Sequence, residues 1–339
     1  MSVVLKPDAK QIEAQMQSLQ LCHWLQDDMR CIWPWYLFHE TEIRNVSSIL
    51  ESGCILSRER AEAQVDGFWS SGSPRVLDHT GANIKDSVRL YFRPRTPTQY
   101  HNEGVWPKDA LRRSRFPDAH CPIPVFLLFD AVTVLSMRGT QFSNGNLARS
   151  DAKLYQTARD LERLPWQMIY HIGPHPRGDD RYRFHRCAEV VVPAKLDLGA
   201  LEYMICRSQA ELDTLTCLLP PTIWRRWKRR TLVSRRINYF FRERAHLVGV
   251  ELSRDRCFLR FAPSTRNAGP FVRTITREVG SMREEWGKKG FCASGCDTQD
   301  FAPQDNYLLS VKLDEHLVYR NRFIAPDQEA ALLHKSSSP

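Results

Sequence analysis

Hydrophobic residues at the start of the chain recur at helical intervals. Within residues 8–30 an apolar or long side chain comes every three or four positions, which predicts a helix. The short apolar run Tyr36-Leu37-Phe38 that follows predicts a strand. A second helical pattern begins at Ile43 and ends at Gly53, and a glycine just past the last apolar position is typical of a helix C-terminus. The first fifty residues therefore predict the order helix, strand, helix.

Residues 57–87 lack such regularity. They are polar, rich in Gly and Ser, and contain few apolar residues. We predict a long loop, and long loops in compact domains are usually functional or mobile. Regular patterns return downstream, where 88–92, 125–130 and 188–192 predict strands and 151–163 predicts a helix.

The pattern changes again near residue 220, where Pro220-Pro221 predicts a joint. A basic helical stretch follows it, and apolar residues then alternate with polar ones at 247–252 and 257–261, which predicts a β-hairpin. We therefore predict an α+β protein in three parts. The parts are an N-terminal helical segment at 1–34, a main domain at 35–218 and a basic α+β C-terminal extension at 219–334.

Composition places the chain among globular proteins. Of its 339 residues, 42% are hydrophobic and 26% are charged, which argues against intrinsic disorder. No window approaches eighteen uninterrupted apolar residues, and the N-terminus lacks the basic-then-apolar pattern of a signal peptide. We therefore expect a cytoplasmic location and no membrane partner.

The ten cysteines do not predict a metal site. None has CxxC spacing, and the close pair Cys292 and Cys296 has no histidine within the next dozen residues to complete a zinc site. We expect no metal cofactor.

The net charge of +9 is unevenly distributed. Residues 220–290 hold 18 Lys or Arg and 6 Asp or Glu, a local balance of +12. Within them, residues 224–242 interleave cations with aromatic rings, and we call this segment the basic block. Such a composition favours binding of a polyanion with base stacking, or else a solvated helix face whose tryptophans fill the core. The candidate nucleic-acid-binding residues are Arg225, Arg226, Lys228, Arg229, Arg230, Arg235 and Arg236.

The most informative single residue is Glu189, which stands at the head of the apolar run Val190-Val191-Val192. A carboxylate buried among valines is costly unless it has a partner or a chemical role. Upstream, His39 and Thr41 offer polar groups for a ribose or a carboxamide, and Tyr91-Phe92 offers a flat wall for a planar ring. A carboxylate near a sugar stabilises the oxocarbenium-like state through which a glycosidic bond is cleaved. Together these residues predict a pocket.

In order and spacing, six blocks of the chain resemble the DarT family of NAD-dependent DNA ADP-ribosyltransferases. The resemblance covers about residues 35–215 and is weaker beyond. The blocks are residues 38–53, 91–100, 124–128, 142–148, 164–166 and 188–193, and they include Phe38-His39-x-Thr41-x-Ile43-x-Asn45, Tyr91-Phe92-Arg93-Pro94, Phe142-Ser143-x-Gly145-Asn146 and Ala188-Glu189-Val190.

The resemblance implies an ADP-ribosyltransferase-like mixed β-sheet core that holds NAD, the co-substrate, in a cleft. It implies that Glu189 is catalytic, together with an arginine for which Arg75 is the best positional match and Arg89 and Arg93 are rivals. The residues it implies for cofactor binding are His39, Thr41, Asn45, Tyr91, Phe92, Arg93 and Tyr100.

The resemblance also implies a function. A toxin-like transferase would move ADP-ribose from NAD to a base of single-stranded nucleic acid, with DNA favoured over RNA. Its partners would be that nucleic acid and a cognate antitoxin, in a toxin–antitoxin or anti-phage defence system. Two alternatives stay open: a non-catalytic nucleic-acid-binding module with a decayed transferase domain, and an RNA or protein acceptor. The sequence does not identify the modified base.

Overall fold

The computed structural model describes residues 4–71, 82–112, 119–176, 178–234, 239–263 and 268–328. Its α-helices in chain order are α1 (Ala9–Gln20), α2 (Ile43–Ser52), α3 (Arg58–Gln64), α4 (Ala82–Lys85), α5 (Pro97–Asn102), α6 (Lys108–Arg112), α7 (Ala131–Ser136), α8 (Ala158–Glu162), α9 (Trp166–Ile169), α10 (Asp180–His185), α11 (Gln209–Leu218) and α12 (Pro221–Trp227). Short 3-10 helices lie at His23–Leu25, Trp33–Trp35, Leu198–Ala200 and Lys228–Arg230.

The strands come in two groups along the chain. Those of the first group are β1 (Tyr36–Glu42), β2 (Cys54–Leu56), β3 (Ser87–Tyr91), β4 (Pro124–Asp130), β5 (Gln141–Ser143), β6 (Leu154–Tyr155), β7 (Glu189–Pro193), β8 (Lys195–Asp197), β9 (Leu201–Cys206) and β10 (Thr231–Val233). Those of the second are β11 (Leu247–Leu252), β12 (Arg256–Phe261), β13 (Phe271–Val279), β14 (Met282–Phe291), β15 (Gly295–Asp300), β16 (Asn306–Leu313) and β17 (His316–Ile324).

An eight-stranded mixed sheet forms the main core, in the order β10-β9-β4-β1-β3-β7-β5-β6. The β10–β9 pair is parallel and the other neighbours are antiparallel. In the central strand β4 the residues from Pro124 to Phe129 are all buried, because helices and loops cover both faces of the sheet. This arrangement confirms the predicted α+β class and its mixed-sheet core.

The second predicted helix, α2, is confirmed with both of its ends. The Glu42 side chain accepts a hydrogen bond from the Arg44 N–H at the first turn. At the other end Gly53 has a φ of +72°, the left-handed conformation that a glycine adopts without strain.

The predicted N-terminal helix is too long, because α1 ends at Gln20. The Gln26 side-chain amide donates to the Gln20 carbonyl, at 2.7 Å, and a 3-10 turn at His23–Leu25 replaces the helix. The predicted helix at 151–163 is also shorter, since α8 begins only where Thr157 and Asp160 form a capping box.

The segment 57–87 is not wholly a loop. Ser57 caps α3, with its hydroxyl accepting from the Arg60 N–H and donating to Asp86, and α4 comes before β3. Residues 72–81 lie outside the described part of the chain.

Strands β11–β17 (residues 247–324) form a C-terminal β-unit. It has two antiparallel sheets, β11-β12-β15 and β14-β13-β16-β17. The predicted hairpin is therefore confirmed as β11–β12. Among its described residues, the extension predicted at 219–334 contains helix α12 as well as strands β10–β17. Among these strands, alternating apolar and polar residues predict only β11 and β12. In β14 and β15 both faces carry polar residues, so the sequence pattern does not predict these strands.

The main sheet and the β-unit have separate hydrophobic cores, and the chain does not pass from one core to the other at the predicted boundary between residues 218 and 219. Trp227 on α12 and the later Tyr239 and Phe240 belong to the core of the main sheet, whereas Ala245 and Leu247 belong to that of the β-unit. Pro220-Pro221 is the N-terminus of α12, where proline costs no helical hydrogen bond.

Candidate active site

A cleft opens where two central strands separate. In the described part of the chain β1 and β3 are paired at Phe38 and Tyr91 alone. Next to this pair the His39 side chain lies between the strands, with its Nδ1 3.0 Å from the Arg89 carbonyl oxygen. The cleft beside these residues has a volume of about 1640 Å³. Because ordinary ligand pockets measure roughly 300–1,000 Å³, it has room for a dinucleotide and part of a second substrate.

Glu189 is buried beside the cleft and is held at three points. Its Oε2 accepts from the Arg89 Nε at 2.5 Å, and its Oε1 accepts from the Leu147 N–H at 3.3 Å. Its own N–H donates to the Ser143 hydroxyl at 2.9 Å. With 1% of Glu189 exposed, Arg89 and Leu147 orient its carboxylate.

Register brings the acid to the cleft. Glu189 on β7 lies directly opposite Tyr91 on β3, so the two side chains share a face of the sheet. Arg89 lies two residues along the same strand, retains 23% exposure and lines the cleft. Burial, and then the Glu189 charge, raises the pKa of Tyr91 well above its usual range, so the phenol stays a neutral donor. The acid therefore has a basic partner and also a cleft next to it.

A tight turn after β5, which pairs with β7, supports this arrangement. The Ser143 hydroxyl donates to the Gly145 carbonyl at 2.6 Å. A Cβ on Gly145 would come within 2.4 Å of the Phe184 ring, so only glycine fits. The next residue, Asn146, donates its N–H to the Phe184 carbonyl and lines the cleft. Asn146 is not among the predicted site residues, although it lies in the block 142–148 of the resemblance.

His39 is a candidate cofactor contact. Since a carbonyl only accepts, the His39 Nδ1 donates to Arg89, and the Nε2 of the neutral ring is left as an acceptor. Burial lowers the pKa of His39, although the hydrogen bond to Arg89 opposes this shift. The imidazole is therefore neutral at neutral pH and can accept from a hydroxyl in the cleft, which it lines.

Thr41 and Asn45 also line the cleft, but their hydrogen bonds serve the protein. The Asn45 amide donates to the Thr41 hydroxyl at 3.1 Å and to the Trp69 carbonyl at 2.9 Å. Its oxygen accepts from the Trp69 N–H at 2.9 Å. Asn45 thus clamps the backbone of Trp69, which differs from the predicted direct contact with the cofactor.

Phe92 and Arg93 do not have the geometry expected of cofactor contacts. Phe92 follows Tyr91, so it points to the opposite face, where it is fully buried against Phe142 and Trp166. Arg93 borders the cleft, but its guanidinium is buried over the Trp33 ring. It donates to the carbonyls of Pro94, Ile169 and His171, and these bonds use its donors to hold neighbouring loops.

Tyr100 lines the cleft as predicted, and it has an unpredicted aromatic neighbour. Its ring centroid lies 5.2 Å from that of Phe241, edge to face. Phe241 also lines the cleft, and the Arg95 guanidinium lies 4.8 Å from its ring. Phe241 lies at the end of the basic block, 141 residues after Tyr100. The sequence predicts base stacking for this block and does not place Phe241 in the cofactor cleft.

The cations of the basic block from Arg225 to Arg230 do not line the cleft, although Phe241 at the end of the block does. These cations lie on α12 and the following 3-10 turn, next to the edge strand β10. From β10 to β7 there are five strand intervals, and at about 4.8 Å each these span roughly 24 Å. Arg225, Arg226, Lys228, Arg229 and Arg230 are exposed, whereas Trp227 is buried in the core and does not offer its ring for base stacking.

Three predicted residues cannot be placed. Arg75, Arg235 and Arg236 lie outside the described residues. Among the arginines that the structure does describe, Arg89 is the one that contacts Glu189.

No group of three or more His, Cys, Asp or Glu side chains in the described ranges is arranged to hold a metal ion. No helix there has the length and apolar composition needed to cross a membrane.

Comparison with known families decides the class of this cleft. A family model described as "ssDNA thymidine ADP-ribosyltransferase, DarT" matches residues 38–241, more than half of the 339-residue chain. The chain belongs to the DarT family. Membership confirms the predicted NAD-dependent, DNA-modifying ADP-ribosyltransferase and does not favour the non-catalytic alternative. The C-terminal β-unit lies outside the matched residues.

Solved DarT structures are similar at low identity. Thermus sp. 2.9 DarT in complex with carba-NAD+ is 18% identical, covering 61% of this chain and 98% of that chain at a TM-score of 0.46. The same protein in complex with ADP-ribosylated ssDNA is 18% identical, covering 61% of this chain and 97% of that chain at a TM-score of 0.47. Thermosipho africanus DarTG in complex with ADP-ribose is 19% identical, covering 61% of this chain and 51% of that chain at a TM-score of 0.43. No curated protein matches the chain.

Proposed function

We propose that this DarT-family chain transfers ADP-ribose from NAD to thymidine in single-stranded DNA, with Glu189 acting at the reacting sugar. The observation that supports this most strongly is the Glu189 carboxylate, held by Arg89 and Leu147 beside a cleft of about 1640 Å³, while Ser143 holds the backbone of Glu189. The family supports the acceptor class, and a carboxylate beside the cleft supports stabilisation of a sugar cation by Glu189.

In the proposed reaction the bond between the sugar C1′ and the nicotinamide nitrogen breaks, and its electron pair leaves with nicotinamide. Positive charge develops on C1′, which the Glu189 carboxylate stabilises. A base nitrogen then bonds to C1′ and gives up its proton, with Glu189 as the acceptor. Arg89 holds the carboxylate in place at 2.5 Å until substrate enters.

Other side chains of the cleft orient the substrates. His39 offers a neutral Nε2 acceptor to a ribose hydroxyl. Tyr91, Tyr100 and Phe241 line the cleft with aromatic rings, which suit the planar nicotinamide and the acceptor base. A base in a duplex has its ring nitrogens paired and stacked, so a single strand is the accessible substrate.

The acceptor is tested by incubating the purified chain with NAD and oligonucleotides of equal length. The pools are single-stranded DNA with thymidine, single-stranded DNA without it, duplex DNA and RNA, and mass spectrometry detects a gain of one ADP-ribosyl unit. We expect the gain in the first pool alone. Equal modification without thymidine overturns the assigned base, and no gain in any pool overturns the function.

We also propose that the basic block holds DNA at a distance from the cleft. The five cations from Arg225 to Arg230 are exposed, and no ion pair joins them to a carboxylate among the described residues. Changing Arg225, Arg226, Lys228 and Arg229 to Gln should weaken the binding of long single strands and lower the salt dependence by about 0.7 per lost phosphate contact. Short oligonucleotides that fill the cleft alone should bind as before.

The matched control for this experiment lies on β14. Arg283 and Lys289 are exposed cations of the C-terminal β-unit, and their change to Gln removes charge away from α12. Fluorescence anisotropy at several salt concentrations measures both sets. Equal salt slopes for the α12 variant and the wild type exclude a DNA contact there.

We propose, finally, that the activity arrests bacterial growth and that a cognate antitoxin binds the chain or reverses its product. Family membership supports this role. The growth of cells that express the wild type or an inactive Glu189 variant provides its test.

A further inference from the structure

We propose that His316, in the C-terminal β-unit, is a positioning residue for the transferase cleft and acts by fixing the indole of Trp69 on the cleft wall. The inference rests on the proposed function, since it concerns the same cleft. It gives the β-unit, which lies outside the matched family region, an indirect part in substrate binding, through Trp69.

The turn between β16 and β17 connects the β-unit to the main sheet. Asp314 in this turn is 5% exposed, and its carboxylate accepts from the Lys108 N–H at 3.1 Å and from the Val272 N–H at 2.7 Å. Lys108 begins α6 in the main unit, whereas Val272 lies on β13. One carboxylate therefore fixes the turn against both units, and His316 is the first residue of β17 after it.

His316 packs against Trp69, which lines the cleft, and against His120. Its ring centroid is 6.0 Å from that of Trp69 at an interplanar angle of 83°, and 4.1 Å from that of His120 at 86°. The Trp69 indole N–H donates to the His120 carbonyl at 2.9 Å, so the three residues form one contact group. Trp69 and its neighbours Ser70 and Ser71 line the cleft.

Side chains, more than secondary structure, hold this part of the wall. Trp69 follows α3 in a segment without helix or strand, at 65–71. Its backbone is clamped by Asn45, and the Arg44 guanidinium lies 4.0 Å from its ring. A segment with few backbone hydrogen bonds depends on such contacts for its position. Removing the His316 ring takes away the support that comes from the β-unit.

The charge on His316 matters as well, because cations surround it. Burial lowers the pKa of His316, and the nearby Arg44 lowers it further, while Asp314 opposes the shift. A neutral ring can pack edge-on against Trp69, whereas a fixed cation would lie close to Arg44 and Lys108. An uncharged aromatic side chain is therefore the suitable replacement at this position.

A double-mutant cycle tests the inference in the full-length chain. We expect His316→Ala to raise KM for NAD about five- to tenfold while kcat at saturating NAD stays within about twofold, since the catalytic carboxylate is untouched. His316→Phe should restore a KM near the wild-type value. In a Trp69→Ala background, which itself has a raised KM, His316→Ala should add no further increase, because its effect passes through Trp69.

Glu315→Gln is the control, because Glu315 is exposed in the same turn and should leave KM unchanged. Thermal unfolding shows whether each variant folds, and His316→Gln replaces His316→Ala if the alanine variant does not. Unchanged KM in a folded variant, or an equal increase with and without Trp69, overturns the inference. An inactive wild type would instead refute the proposed function.

Discussion

Replacing Glu189 by glutamine is expected to slow the transfer of ADP-ribose to single-stranded DNA by at least about 10²–10³-fold, while the protein stays folded. Glutamine has the same shape, so its oxygen can still accept from the Leu147 N–H. It has no charge, however, and cannot stabilise the positive C1′. Arg89 loses its partner but is 23% exposed at the cleft, so water can solvate its guanidinium.

Mass spectrometry of the oligonucleotide measures this loss, and thermal unfolding reports the fold. A matched control is Glu51→Gln, since Glu51 is an exposed carboxylate on the same cleft. The control should retain the wild-type rate. Cells that express the wild type should stop growing, and cells that express Glu189→Gln should not. A wild-type rate in the Glu189→Gln protein would remove this residue from the mechanism.

The position of Glu189 could be predicted from the sequence because the signal is local. A carboxylate directly before three valines must be buried with them, and β7 places it there. The helix α2 was predictable for the same reason, since the apolar spacing and Gly53 lie within ten residues of each other.

The remaining details of the cleft depend on contacts between distant parts of the chain. Whether Tyr91 or Phe92 faces the cleft is set by the register of β3 with β7, a hundred residues away, and periodicity alone does not fix it. Phe241 is held at the cleft wall because its N–H donates to the buried Glu103 carboxylate, and no sequence pattern predicts this contact. The charge of the basic block predicts that the segment is exposed, but it does not predict which edge of the sheet the segment lies against.

Replacing Arg207 by methionine is expected to lower the free energy of unfolding by about 3–5 kcal/mol, because it leaves buried carboxylates without a cation. Arg207 is 1% exposed and forms ion pairs with Glu211 and with Glu103, which are equally buried. Its guanidinium also donates to the Pro122 carbonyl at 3.1 Å. Methionine fills much of the volume of arginine. The decrease in the free energy of unfolding therefore comes mainly from the lost charge and not from a cavity.

The control for this prediction is an ion pair at the surface. Arg256 pairs with Asp300 on the β-unit, where the two side chains are 58% and 69% exposed, and Arg256→Met should cost at most about 1 kcal/mol. Urea unfolding at one pH compares the two variants. Equal small losses would contradict a structural role for the Arg207 network.

The same variant has a predictable dependence on pH. Burial raises the pKa of Glu211 in the folded protein, and Arg207 opposes that shift. Without Arg207 the folded state holds a proton on this carboxyl up to a higher pH than the unfolded state does. The destabilisation should therefore be small near pH 4.5 and should grow as the pH rises towards neutrality. Urea unfolding at pH 5 and pH 8 measures the difference, and a loss that is larger at pH 5 would contradict this account.

Replacing Arg207 by methionine should also affect the active site. Glu103 accepts from the N–H groups of Phe241 and Arg242, both at 2.8 Å, and so holds the residue that lies against Tyr100 on the cleft wall. In Arg207→Met the unpaired Glu103 and Glu211 repel each other, and the wall loses this support. We therefore expect a raised KM for substrate even at temperatures where the variant is fully folded, since Glu103, the ion-pair partner of Arg207, also positions Phe241.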